Sequence, residues 1–139
     1  MKEHRISSRA IIFHDGKLIL IHRKWKRKEY WVTPGGGVEG NETLEEAVKR
    51  ETREEIGIEI NVGEFVMELT RESADRISEQ KFFLCEYVSG DIGSGQDAKM
   101  LASDEKDFYE VVRIPIDELS KINIVPPQIK KYILAHLPK

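Results

Sequence analysis

GGVEGNETLEEAVKRETREEIGI, residues 36–58, opens as a glycine turn and continues as a helix ending in three glutamates, Glu51, Glu54 and Glu55. Thr43 followed by Glu46 is a capping-box pair, which starts the helix there. Gly57 supplies a left-handed position after the last turn, so the helix stops near Ile56. At ~100° per residue, Glu51, Glu54 and Glu55 share about one third of the circumference. Leu44, Ala47 and Val48 point the same way, one to two turns earlier. Glu45, Lys49 and Arg53 take the opposite face at i,i+4 spacing. The inner face is therefore apolar at its start and acidic at its end.

Carboxylates on a buried side are costly unless paired or bound to metal. At the C-terminal end of a helix they also face the negative pole of its dipole. A divalent cation relieves both problems, and several hard oxygen donors suit Mg²⁺ or Mn²⁺, which bind carboxylates and substrate phosphates together. The competing reading is a solvated, Glu-rich helix paired with nearby Lys and Arg. Composition and azimuth leave both open.

The full spacing goes further. Gly36, Glu42, Arg50, Glu51, Glu54, Glu55, Gly57 and the aliphatic Ile58 stand in the order G-x5-E-x7-R-E-U-x-E-E-x-G-U, where U is a large aliphatic residue. This resembles the signature of the Nudix hydrolases. Two places depart from it. Thr52 stands where an aliphatic residue is usual, and is expected toward the helix edge. Gly40-Asn41 precedes the first glutamate where many members have Gly, and Asn tolerates a left-handed conformation.

The resemblance implies hydrolysis of a phosphoanhydride bond in a nucleoside diphosphate linked to another group. Nucleoside triphosphates, ADP-ribose, dinucleoside polyphosphates and nucleotide sugars all remain open. Mg²⁺, or Mn²⁺ in its place, would neutralise the phosphates and align water for in-line attack. The resemblance implies Glu51 and Glu55 as principal metal ligands, with Glu54 a ligand or the base that activates water. A carbonyl from the glycine turn, at Gly36, would join the metal shell. Arg50 would orient a glutamate through charge-assisted hydrogen bonds, and Glu42 would anchor loop and helix. Members often carry a further glutamate late in the chain, and Glu105 is the candidate, with Asp107 and Glu110 behind it. Homodimers are frequent in the family. Alternatives are a non-catalytic nucleotide sensor on the same fold and a hydrolase of RNA 5′ ends. The intact acidic positions and the lack of a helix-turn-helix extension count against the sensor.

Around this stretch lie 139 residues with a net charge of −3, enough for one domain with a core and without global attraction to nucleic acid. The acidity counts against RNA, and nothing points to DNA. The single Cys85 excludes an internal disulfide and fits a reducing compartment. No hydrophobic run reaches the length of a membrane span and the start is no signal peptide, so a cytoplasmic location is expected.

Ile6 to Phe13 and Leu18 to Ile21 read as strands joined by the hairpin signal Asp15-Gly16. His22 to Lys28 is a basic stretch around Trp25, either a solvated loop or one facing phosphates. Arg23, Trp25 and Arg27 are its candidate substrate residues, Trp25 by stacking on a base. Tyr30 to Thr33 is a short strand entering Pro34-Gly35-Gly36-Gly37, with Trp31 expected in the core. Glycines there allow close backbone approach. Beyond the helix, Glu59 to Thr70 reads as extended, Arg71 to Glu79 as a polar turn, and Lys81 to Val88 as a central strand with both faces apolar. Ser89 to Met100 is Gly- and Ser-rich and reads as a mobile loop. Phe108 to Ile114 is a strand, followed by a short helix at Pro115. Pro126-Pro127 opens a terminal helix to Leu137 with Ile129, Tyr132, Ile133 and Leu137 on one stripe. This order argues for an α/β protein, a three-layer α/β/α sandwich around a mixed β-sheet, which matches the Nudix fold. Base selection has no motif here; Arg9, Trp25, Tyr30, Arg71 and Arg76 are candidates.

Overall fold

Strand-forming alternation dominates the first half of the chain, and it builds a mixed sheet with a core on each face. The computed structural model describes residues 2–92 and 108–138. Residues 93–100 of the Gly- and Ser-rich stretch, together with Glu105 and Asp107, lie outside the described residues. The strands are β1 (Glu3–His14), β2 (Lys17–Trp25), β3 (Lys28–Val32), β4 (Gly35–Gly37), β5 (Glu59–Glu72), β6 (Arg76–Ser89) and β7 (Phe108–Pro115). Among the described residues two helices flank them, α1 (Leu44–Glu55) and α2 (Pro127–Ala135), with a 3-10 segment at Ile116–Lys121. The sheet runs β3-β2-β1-β6-β5, with β4 paired to β1 and β7 to β2. β1 and β6 are parallel and the other pairs antiparallel.

Alternation along β1 and β2 divides the core. Ala10, Ile12, Ile19 and Ile21 pack with Val48 and Ile56 of α1. Ile11, Leu18 and Leu20 pack with Leu119, Ile129 and Ile133 on the other face. Trp31 is partly buried against that second cluster. The expected sandwich is present, and β6 lies inside the sheet as its two-faced apolar pattern requires.

One feature of the sheet positions the site. β1 pairs with β2 only next to the Asp15-Gly16 turn, at Phe13↔Leu18 and His14↔Lys17. Farther on the strands part, and β1 takes β4 instead, with Ser8↔Gly36 and Arg9↔Gly35. Gly35 is required at this junction: its φ is +146°, and a Cβ there would lie 2.7 Å from the Cα of Arg9.

Three local expectations are corrected. The basic stretch after Ile21 is a hairpin, with His22 to Trp25 ending β2 and Lys28 opening β3. Its turn residues, Lys26 and Arg27, have φ of 49° and 67°, a geometry that asks for Asn-Gly and is therefore invisible in this sequence. The polar turn at Arg71 to Glu79 shrinks to the residues between β5 and β6, because strand pairing extends through Glu72↔Ile77. Thr52 is not at the helix edge: it is fully buried, four residues after Val48 on the stripe facing the sheet. Its hydroxyl donates to the Val48 and Lys49 carbonyls at 2.9 and 3.0 Å, so the helix itself satisfies it.

Candidate active site

The helix begins and ends as its sequence dictates. Thr43 Oγ1 accepts from the Glu46 N–H and the Glu46 carboxylate accepts from the Thr43 N–H, closing the capping box. Ser8 Oγ donates to the Leu44 carbonyl at 2.8 Å and ties the first turn to β1. This anchoring carries Glu51, Glu54 and Glu55 to the place where β4 is inserted beside β1.

Arg50 organises the cluster. Its Nε and Nη2 donate to the two carboxylate oxygens of Glu42 at 2.7 and 3.0 Å. Nη1 donates to Glu51 at 2.9 Å and to Glu54 at 3.2 Å, and Nη2 also reaches the Gly37 carbonyl at 2.9 Å. The guanidinium thus holds Glu42 well below the usual carboxylate range, through its hydrogen bonds first. The same bonds push Arg50 above its ordinary value. The glycine turn is clamped to the helix by the same side chain, and Glu42 has the anchoring position read from the motif.

Glu55 points the other way. It accepts from the Gly35 N–H at 2.9 Å and from the Tyr109 hydroxyl at 2.6 Å. Burial pushes its pKa up, while Tyr109, the Gly35 N–H and Arg9 oppose the shift. Gly36 lies directly against Glu51: a methyl built on it would stand 2.5 and 2.7 Å from the two carboxylate oxygens. Backbone and carboxylate are in contact there because no side chain intervenes.

These donors are all hard oxygens, and Gly36 leaves the cradle that a backbone carbonyl needs to join them, so the residues fit Mg²⁺ or Mn²⁺. They are not gathered on one point: among the described residues no three carboxylates, histidines or cysteines converge as a ready-made cage. The cause is visible, since Arg50 draws Glu51 and Glu54 toward itself while Tyr109 and Gly35 draw Glu55 away.

Of the candidate substrate residues Arg23, Trp25 and Arg27, Arg23 lies nearest the cluster, through Tyr109. It lies opposite Tyr109 in the β2–β7 register, with its guanidinium 5.7 Å from that ring. Trp25 and Arg27 sit at the hairpin tip, where Trp25 is 44% exposed and Lys26 covers its ring at 4.5 Å. Among the described residues no hydrogen bond or ion pair links either to the glutamates. Glu110 is exposed on β7, and strand alternation sets it on the face opposite Tyr109. Arg76 pairs with Glu3 at 3.4 Å, whereas Arg71 lines a cavity together with Arg9. Tyr109 was not anticipated, because one tyrosine in an alternating strand carries no signal of a carboxylate partner 54 residues earlier.

The family model described as NUDIX domain matches residues 3–135. The chain belongs to the NUDIX domain family. It is similar to the CTP pyrophosphohydrolase of Escherichia coli K12, 44% identical over 70 residues that cover 49% of this chain and 52% of the relative. It is also similar to the ADP-ribose pyrophosphatase of Methanocaldococcus jannaschii, 33% identical over 109 residues covering 76% of this chain and 62% of the relative. The chain therefore spans between half and two thirds of these relatives. A solution structure of the E. coli ORF135 protein superposes with a TM-score of 0.73 at 26% identity, covering 96% of this chain and 91% of that one. Among the described residues of this NUDIX domain, no helix is long and apolar enough to cross a membrane.

Proposed function

We propose that this NUDIX domain is a pyrophosphohydrolase that uses Mg²⁺, or Mn²⁺ in its place, to split a phosphoanhydride bond in a nucleoside diphosphate linked to another group. The observation that carries it is that one helix brings Glu51 and Glu54 onto Arg50, which also holds the Gly37 carbonyl, and Glu55 onto the Gly35 N–H of the same glycine turn. The names of the two relatives, one for CTP and one for ADP-ribose, support the substrate class.

A bound divalent cation supplies phosphate neutralisation and lowers the pKa of a coordinated water. Glu51 and Glu55, with the Gly36 carbonyl, are the groups that hold it. Glu54, the most exposed of the three by its 44% side-chain accessibility, is placed to be a further ligand or to take a proton from water. Arg50 orients Glu51 and Glu54 and offsets their mutual repulsion. Arg23, over the Tyr109 ring that reaches Glu55, is a phosphate contact. A buried, free Cys85 suits a cytoplasmic location.

The test is a hydrolysis screen with Mg²⁺ and Mn²⁺ across nucleoside triphosphates, ADP-ribose, dinucleoside polyphosphates and nucleotide sugars, with products identified. At least one class should be cleaved at a phosphoanhydride bond. Glu51→Gln and Glu54→Gln should each lower kcat by about 10²-fold or more with an unchanged fold. Wild-type turnover in both variants would remove the site, and an inactive wild type would remove the activity.

A further inference from the structure

The apolar run Ala10–Phe13 of β1 is preceded directly by a cation. Arg9 stands between Ser8 and Ala10, both fully buried. Alternation turns it to the face of Ile11 and Phe82, away from α1. There it lines a cavity of about 480 Å³ bounded by β5, β6, the β3–β4 link and the start of α2. At this level β1 pairs with β4, and Gly35, the partner of Arg9, donates its N–H to Glu55. Glu55 and Glu51 act on its charge through space and support it against burial, which pushes its pKa down.

Its hydrogen bonding is incomplete. Nη1 donates to the Thr33 carbonyl at 3.0 Å, but the buried Nε has no partner. A buried guanidinium N–H left unpaired costs more than an ordinary hydrogen bond returns, so a group kept in this state calls for a partner that arrives later. The surroundings say what kind. Among the described residues, the charged side chains on the cavity wall are Arg9 and Arg71, with no carboxylate. The N-terminus of α2 opens on the same space at Gln128, and no side chain caps it. The cavity attracts oxygen acceptors and anions.

We propose that Arg9 is a substrate-binding residue whose Nε–H and remaining guanidinium donors hold an oxygen of the phosphate that stays on the nucleoside. This rests on the hydrolase reading above. Phosphate is favoured over a base for Arg9 because its strand partner Gly35 donates to Glu55. Arg71 is two strands away on β5, with β6 between. The diphosphate thus lies across the glutamates, Arg9 marks where it leaves them, and the nucleoside continues into the cavity over Phe82. An arginine beside the apolar run Ala10–Phe13 is explained by that handover.

The experiment compares wild type with Arg9→Met, Arg9→Gln and Arg9→Lys. Binding of the 5′-monophosphates of adenosine, guanosine and cytidine is measured by titration calorimetry against the parent nucleosides, and KM and kcat are measured on whichever diphosphate the wild type cleaves. Thermal melts identify variants that fold. For the monophosphate it binds best, the wild type should prefer the phosphorylated form by at least about tenfold. Arg9→Met and Arg9→Gln should weaken that binding roughly ten- to hundredfold and leave nucleoside binding unchanged. KM should rise by a similar factor while kcat moves only a few-fold, and Arg9→Lys should recover part of the loss. The proposal is overturned if the folded variants bind monophosphate as the wild type does, if monophosphate and nucleoside weaken together, or if KM is unmoved. An inactive wild type whose monophosphate binding still depends on Arg9 would sink the hydrolase reading and leave Arg9 in place.

Discussion

Gly36→Ala isolates one contact in the candidate site. Gly36 is not in the left-handed region, so alanine adds no backbone penalty, and the consequence is confined to the new methyl. That methyl would stand 2.5 and 2.7 Å from the carboxylate oxygens of Glu51, about 0.8 Å inside ordinary van der Waals contact. β4 is held by its pairing to β1 and by Arg50 on the Gly37 carbonyl, so the flexible Glu51 side chain gives way. A displacement near 1 Å in a reacting group costs about 10²-fold in rate, or about 2.7 kcal/mol in the barrier. Global stability should change by less than about 1 kcal/mol, since the gain of alanine over glycine in the unfolded chain offsets a weakened Arg50–Glu51 bond. Steady-state release of product with Mg²⁺, alongside thermal melts, reads both quantities. A wild-type kcat would refute the placement of Glu51 at the reacting centre. A kcat loss accompanied by an equal loss of folded protein would refute the locality of the effect.

Tyr109→Phe removes the 2.6 Å hydrogen bond to Glu55 and should lower kcat by about tenfold with the fold retained; unchanged kinetics would leave Tyr109 a packing residue. Replacing Lys26-Arg27, at φ 49° and 67°, by Asn-Gly should stabilise the domain by about 1–2 kcal/mol, seen as a Tm rise of several degrees. In the same variant a raised KM would give Arg27 the substrate contact expected from the sequence, and an unmoved KM would remove it. Burial pushes the Cys85 thiol up to about 12, so alkylation at pH 8 should be slow until denaturant is added. In the unfolded chain the thiol ionises near 8.5, so its contribution favours the native state below that pH and is lost as pH climbs toward 12. Rapid labelling of the native protein would contradict this burial.

Much of this protein was determined locally and was therefore legible in the chain. The capping box at Thr43 and Glu46, the stop at Gly57 and the Asp15-Gly16 hairpin each depend on a few adjacent residues and dihedral angles. The shared azimuth of Glu51, Glu54 and Glu55 follows from helical geometry alone, and the two-faced apolar pattern of β6 requires an interior strand. Tertiary structure decided the rest. The turn at Lys26-Arg27 adopts a conformation its residues do not favour because pairing along β2 and β3 imposes it. Thr52 is buried because α1 lies on the sheet with that stripe inward. The partners of Glu55 come from two separate pairings, Gly35 from β4 beside β1 and Tyr109 from β7 beside β2. Periodicity records which face of an element is buried; it does not record where two strands part, because that depends on contacts between residues far apart in the chain.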